Sequence, residues 1–290
     1  YYFYIIVSRE QMINEMSTII GGKLFNWKSQ TFVMGVINVT PDSFSGDGID
    51  LNIDLAVKKA IEFEKHGCHI IDIGGESTRP SITYGRTSST PLEVEEERVI
   101  PAIRAISEAV STPISVDTYK ASVAEKAIEA GASLVNDVWG LTKDLRMASV
   151  VSELKVPVVL MHNQNHTFYV DMLSDIINRL EELKSKAIKA GVSESNIILD
   201  PGIGFGKTFM QNIELFRSLE RLQELQSPIL IGSSRKSTIG KILNLPPDQL
   251  IEGTAATVAI SILKGVDVVR VHDVKEIMRV VKTTDAIVRT

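Results

Sequence analysis

Three apolar runs in this chain end in a carboxylate or a carboxamide: Ile114-Ser115-Val116 in Asp117, Leu134-Val135 in Asn136, and Ile197-Ile198-Leu199 in Asp200. A carboxylate accepts hydrogen bonds, and a carboxamide both donates and accepts. Together they suit the edge of a flat heterocycle that alternates donors with acceptors, such as a pterin or a guanine. Left unpaired in a buried site, such groups are costly, so the set implies a matching ligand. A second group of residues has the chemistry of an anion clamp. Arg270 and His272 alternate on one apolar run, which turns both side chains the same way. Thr78-Arg79 and the backbone amides of a Gly/Ser-rich loop complete a phosphate site. Asn38 is a candidate oxygen ligand for Mg²⁺ bridging phosphates, a metal that keeps few protein ligands.

Residues spread this widely meet only if their strands lie side by side and parallel. The strand-like segments are 31–39, 69–74, 113–117, 133–138, 156–162, 197–200, 228–233 and 267–272. They are β-branched and apolar throughout rather than alternating, as strands buried on both faces are. Amphipathic stretches with helical spacing lie between them, including Leu55–Lys65, Val94–Ala109, Ser122–Ala130 and Ile213–Leu225. Thr90-Pro91 and Thr118 are start signals. Gly67, Gly131, Gly191 and Gly265 stand where left-handed C-caps want glycine. Eight strand–helix units in about 260 residues match a (β/α)₈ TIM barrel, an α/β fold. A doubly wound open sheet is the alternative, and it usually has fewer strands. A Gly21-Gly22 turn between 18–20 and 23–25 predicts a short N-terminal hairpin at the barrel's bottom. The barrel is assigned to 17–290, and 1–16 is an N-terminal extension of unknown role.

In a barrel the chemistry sits at the C-terminal ends of the strands. Those positions carry Asn38 with Thr40-Pro41-Asp42-Ser43, Gly75-Glu76-Ser77-Thr78-Arg79, Asp117, Asn136-Asp137, Met161-His162, Asp200 with 202–207, Ser233–Ser237, and Arg270-Val271-His272. Singly, each has a bland explanation. Asp117 reads as a helix N-cap, Asn136-Asp137 and Asp200-Pro201-Gly202 as turns, and His162 as a satisfied core histidine. The concentration of polar residues at one end of all eight strands favours a site. Gly202–Thr208 looks like a Walker A loop, but that pattern needs four residues between its glycines, and the position five before Gly206 is Pro201. The five histidines are scattered and form no HExxH, which argues against a zinc hydrolase.

Composition narrows the classes further. A net charge of −5 is wrong for a nucleic-acid surface. A local cluster of Arg, Lys and His still allows a small anionic substrate. One cysteine, Cys68, excludes a disulfide framework and suits a reducing, cytoplasmic setting. No apolar run approaches the roughly 20 residues that span a bilayer.

The strand-end segments, in this order, closely resemble dihydropteroate synthase. The matching stretches are 34–45 (MGVINVTPDSFS), 72–80 (DIGGESTRP), 115–120 (SVDTYK), Asn136-Asp137, Met161-His162, 200–208 (DPGIGFGKT), 234–237 (SRKS), 253–256 (GTAA) and 269–273 (VRVHD). The resemblance implies condensation of 6-hydroxymethyl-7,8-dihydropterin diphosphate with 4-aminobenzoate, by SN1-like displacement, to 7,8-dihydropteroate and pyrophosphate. By motif position, Asp117, Asn136, Met161, Asp200 and Lys236 look like the pterin site. Asn38, Thr78, Arg79, Arg270 and His272 match the diphosphate and Mg²⁺ site, with Asp42 in the first mobile loop. Asn38, Asp42, Thr78, Arg79, Lys236, Arg270 and His272 would carry the catalysis. Pro80, Phe205, Lys236 and Ser237 match the 4-aminobenzoate pocket, where sulfonamides bind in this family. Members are usually homodimers. The chain departs from the family pattern at Ser45-Gly46-Asp47-Gly48, in the longer stretch 80–90, and over its first residues.

Two rival functions stay open at this stage. A cobalamin-dependent pterin methyltransferase shares the pterin end but needs no diphosphate clamp. A degenerate, non-catalytic pterin-binding barrel predicts losses among the strand-end residues, and none is visible.

Overall fold

The computed structural model describes residues 16–40, 53–76 and 89–289. Asp42, Thr78, Arg79, Pro80, nearly all of the N-terminal extension, and the departures at 45–48 and in 80–88 lie outside those residues.

Ten strands appear among the described residues. β1 (Ser17–Ile20) and β2 (Lys23–Asn26) form the expected antiparallel hairpin across Gly21-Gly22, both of which have positive φ. The others are β3 (Phe32–Asn38), β4 (Ile70–Gly74), β5 (Ile114–Asp117), β6 (Leu134–Asp137), β7 (Val158–Met161), β8 (Ile197–Asp200), β9 (Leu230–Ile231) and β10 (Val268–Val271). They pair in parallel in the order β8-β7-β6-β5-β4-β3-β10-β9. A parallel bridge from Leu199 to Ile229 joins the two ends of that order, so the sheet curls into a nearly closed barrel. The open-sheet alternative is thereby overturned. β9 is the shortest strand, two residues instead of the expected six.

The described helices are α1 (Ile53–Lys65), α2 (Leu92–Ala109), α3 (Ala121–Glu129), α4 (Met147–Leu154), α5 (Met172–Lys189), α6 (Phe209–Arg217), α7 (Ser237–Leu243), α8 (Ile251–Leu263) and α9 (Val274–Val288). The four expected C-cap glycines all adopt left-handed backbone. The stretch expected as one helix over 213–225 is divided. α6 stops at Ser218, and Leu219–Leu225 continues as 3₁₀ turns. Leu219, Leu222 and Leu225 are all buried. Their spacing of three keeps them on one face only at three residues per turn. Thr118 does not cap α3 with its side chain; Asp144 accepts from the Ala121 N–H instead.

Two apolar cores explain why the strands lack alternation. Val33, Ile37, Ile71, Ile73 and Val116 belong to the layer shared with the helices. Phe32, Met34, Ile70, Leu134, Val159, Ile198 and Val268 pack with Ile20, Phe25 and Trp27 of the hairpin region. The hairpin therefore plugs the N-terminal end of the barrel, as expected. Trp27 Nε1 donates to Thr18 Oγ1 at 2.9 Å, and Lys28 pairs with buried Asp267 at 2.7 Å, fixing the plug.

Gly35 shows how closely the outer layer is packed. A Cβ there would lie 2.5 Å from Phe63 Cδ2 and 2.8 Å from Val274 Cγ2. Gly35→Ala is expected to destabilise the protein by about 1–3 kcal/mol. Thermal unfolding would show this as a drop of several degrees; an unchanged melting temperature would refute the packing argument.

Candidate active site

Strand register brings the polar ends together. Asn38 pairs with Gly74, Gly74 with Asp117, and Asp117 with Asn136, so one row crosses four adjacent strands. On the other side of β7, Met161 pairs with Asp200. Where a Gly74 Cβ would stand, Asn38 Oδ1 and Asp117 Oδ2 are both 3.6 Å away. Asp117, Asn136, Met161 and Asp200 are all buried, whereas Asn38 is half-buried at the rim.

The Arg270 guanidinium spans the middle of this site. Its Nε donates to Asp72 Oδ2 at 2.6 Å, and its Nη2 donates to Asp117 Oδ2 at 2.7 Å. The second Asp117 oxygen, Oδ1, is buried with no partner among the described residues. Burial pushes the Asp117 carboxyl up to about 7, with Arg270 opposing the shift and Asp72 and Glu95 adding to it. Asp200 accepts from the Gly202 N–H at 2.7 Å through Oδ1. Burial lifts it to about 6, against that hydrogen bond and the positive charge of Lys236, Lys207 and Arg270. Lys236 is lowered to about 8, first by burial and then by Arg270, with Asp200 and Asp117 countering. Its Nζ lies 4.2 Å above the Phe205 ring. Met161, Phe205 and Val138 form an apolar cluster with Trp139 against it. Ser237 opens α7, immediately after Lys236.

His272 accompanies this group from the strand end. Its backbone N–H donates to Ser234 Oγ at 3.2 Å, and its Nδ1 lies 3.0 Å from the same oxygen. Burial, with Arg270, Arg235, Lys59 and Lys236 around it, holds the imidazole well below its ordinary value and therefore neutral. Arg235 has positive φ and is anchored by a two-point pair with Asp273, at 2.6 and 3.3 Å.

Some strand-end residues proved structural. Asp137 accepts from the N–H groups of Trp139 and Leu141 at 2.8 and 2.7 Å, so it caps its own loop. His162 is a satisfied core histidine, with Nδ1 3.2 Å from Lys207 Nζ. Lys207 also donates to the carbonyls of Gly202 and Phe205 at 3.0 Å. Its ammonium is thus turned into its own loop rather than toward a phosphate, which disposes of the Walker A likeness. Gly202 is required there: a Cβ would fall 2.1 Å from the His162 carbonyl oxygen, and φ is +71°.

Sequence reasoning gave no role to Asp72, which opens the stretch 72–80, is fully buried and touches both Arg270 and Asn136. The signal was available. A charged residue two places before Gly74 faces the same side as the strand-end row. It stands one step below the end, where side chains are ordinarily core. Trp139 was missed as well, and nothing in its turn sequence marks it.

The site therefore holds an edge of carboxylates and an amide, a bridging guanidinium, a neutral imidazole and an apolar wall. Residues 34–272 match the family model described as pterin binding enzyme. The chain is 54% identical over 271 residues to the dihydropteroate synthase of Clostridium beijerinckii, covering 93% of this chain and 99% of that one. A dihydropteroate synthase structure from Clostridium difficile, determined in the presence of pteroic acid, superposes with a TM-score of 0.88 at 47% identity, over 92% of this chain and 100% of that one. The Xanthomonas albilineans dihydropteroate synthase with 4-aminobenzoic acid gives a TM-score of 0.88 at 35% identity, over 94% and 98%.

Proposed function

The chain belongs to the dihydropteroate synthases among the pterin-binding enzymes, and from that premise we propose how its site performs the condensation. The substrates are 6-hydroxymethyl-7,8-dihydropterin diphosphate and 4-aminobenzoate, and the products 7,8-dihydropteroate and pyrophosphate. The observation that carries this assignment of roles is the meeting of two groups on Arg270. The guanidinium joins the carboxylate row that suits a pterin edge, while His272, two residues on, faces the same way.

Asp117, Asn136 and Asp200 hold the pterin edge, with the partnerless Asp117 Oδ1 as one acceptor for a ring or exocyclic N–H. Lys236 stands on the pterin's carbonyl side, and Met161 lies against its ring. Arg270 and neutral His272 hold the diphosphate together with Thr78 and Arg79. Phe205, Lys236, Ser237 and Pro80 line the place of 4-aminobenzoate.

The bond from the exocyclic methylene carbon to the diphosphate oxygen breaks, and its electron pair leaves on pyrophosphate. Cationic charge on that carbon is spread into the electron-rich ring and faced by the buried carboxylates. The aniline nitrogen then closes on the carbon with its lone pair and loses its proton to pyrophosphate or water. No side chain forms a covalent intermediate, and no strong base is needed; positioning carries the rate.

Magnesium fits this site on donor chemistry. Asn38 offers a hard amide oxygen at the rim with no hydrogen bond to the described residues. Among those residues, no three His, Cys, Asp or Glu could hold a metal by themselves. Asn38 would therefore share the ion with phosphate oxygens and water, and the ion would neutralise the leaving group. A homodimer and a cytoplasmic location belong to the same proposal. The exposed Ile242, Leu243, Ile260 and Leu263 on α7 and α8 support the first, and the single, buried Cys68 supports the second. Among the described residues, no helix is long and apolar enough to cross a membrane.

Pyrophosphate release tests the reaction. Release that requires both the pterin diphosphate and 4-aminobenzoate is expected. No release from cooperatively folded protein at saturating substrates would favour the methyltransferase or the binding module. Release without 4-aminobenzoate would mean hydrolysis.

A further inference from the structure

We propose that Asp72 is a positioning residue for the condensation, setting both the direction of the Arg270 guanidinium and the orientation of the Asn136 carboxamide through a single oxygen. The inference rests on the reaction proposed above.

Asp72 lies in the middle of β4 and is inaccessible to solvent. Its Oδ2 accepts from Arg270 Nε at 2.6 Å and from Asn136 Nδ2 at 3.1 Å. A buried carboxylate survives in such a place only when paired, and its partners here are two residues of the site, from β10 and β6. The carboxamide is thereby fixed. Flipped, Asn136 would set its own oxygen 3.1 Å from a carboxylate oxygen, acceptor against acceptor. In the observed orientation its Oδ1 and second N–H remain for a ligand. Arg270 is fixed as well. Asp72 Oδ2 takes its Nε edge and also lies 2.6 Å from Nη2, which Asp117 shares, so the plane of the guanidinium is held between the two carboxylates.

Without Asp72 both settings loosen together. Among the described residues the guanidinium would have Asp117 as its one remaining carboxylate at hydrogen-bonding distance, and would compete with the pterin edge for it. The amide would be free to flip. An asparagine at this position has one accepting oxygen, and its N–H₂ would face the donors of its former partners.

The test is a double-mutant cycle read by pyrophosphate release, with the melting temperature measured for every variant. D72N is expected to lower kcat/KM about 100-fold, the scale at which small misplacements of reacting groups act. In an R270Q background the same change is expected to cost about 10-fold or less, because of its two targets only the Asn136 carboxamide remains. A purely structural residue would cost its full factor in both backgrounds, and that additive result would overturn the proposal. Turnover by D72N within about 3-fold of the parent would overturn it too. D72S, which leaves room for a water, is read by the same criteria if D72N does not fold. Loss of cooperative melting in both would make Asp72 structural and end the proposal. If the parent itself releases no pyrophosphate, the reaction assignment fails rather than this inference.

Discussion

Replacing Asp200 by alanine is expected to abolish binding of 6-hydroxymethyl-7,8-dihydropterin while leaving the melting temperature at pH 7 within a few degrees of the parent. A site built to hydrogen-bond a ligand loses about 1,000-fold or more when one side of a paired set is removed. The pterin's donors would be left facing an apolar gap, with no water-accessible alternative. The small stability effect follows from the raised carboxyl of Asp200, which burial lifts from 3.8 to about 6. The folded state binds that proton more tightly than the unfolded chain does. Its stabilising contribution is therefore complete below pH 4 and is lost as pH rises through about 6. At neutral pH the ionised carboxylate is a burden to the fold, offset by the Gly202 N–H bond. The melting temperature of Asp200→Ala relative to the parent should thus climb between pH 4 and 6. Calorimetric titration with the pterin, beside melting curves at several pH values, measures both effects. Intact binding would refute the assigned role.

The second large effect concerns the cation that joins the two halves of the site. Arg270→Met is expected to lower kcat by about 1,000-fold, the scale at which a single arginine stabilises a departing phosphate. Stability should respond in the opposite sense to that of Asp200→Ala. Arg270 lies between Asp72 and Asp117, at 2.6 and 2.7 Å. Removing it leaves two buried carboxylates together, a loss of about 3–5 kcal/mol if both stay charged. Asp117 already sits near 7 with Arg270 beside it, so without Arg270 it rises further and takes up a proton. The variant should therefore be most stable in acid and lose stability as pH rises through neutrality and above. A pH-independent melting difference, or a kcat within tenfold of the parent, would contradict the bridging role.

Much of this was legible in order and type alone. The β-branched runs and their polar ends marked the eight strands, because strands buried on both faces cannot hide their composition. Gly67, Gly131, Gly191 and Gly265 marked helix ends, because left-handed backbone strongly favours glycine. Other features were not legible. The break after Arg217 depends on which face of 219–225 meets the core. The α3 cap comes from Asp144, 23 residues away. Asp137 and His162 carry the same strand-end signature as Asn136 and Met161. Only loop hydrogen bonds and Lys207 show that they are structural.

By itself, the sequence pointed to an edge reader for a flat heterocycle at Asp117, Asn136 and Asp200 and to an anion clamp at Arg270 and His272, because donor and acceptor chemistry is local to each side chain; the place of an aromatic amine came only from the resemblance to a family. It favoured a barrel over an open sheet for a similar reason: periodicity and strand count are properties of the chain in order. The tertiary structure decided which of these groups spend their hydrogen bonds on one another. Arg270 appeared as half of a diphosphate clamp, yet its guanidinium is shared by Asp72 and Asp117, 198 and 153 residues away. Partnership at that distance depends on the register and closure of the barrel, which no local pattern encodes. It is that closure which turned three strand ends and an aspartate to which sequence reasoning assigned no role into a single charged site.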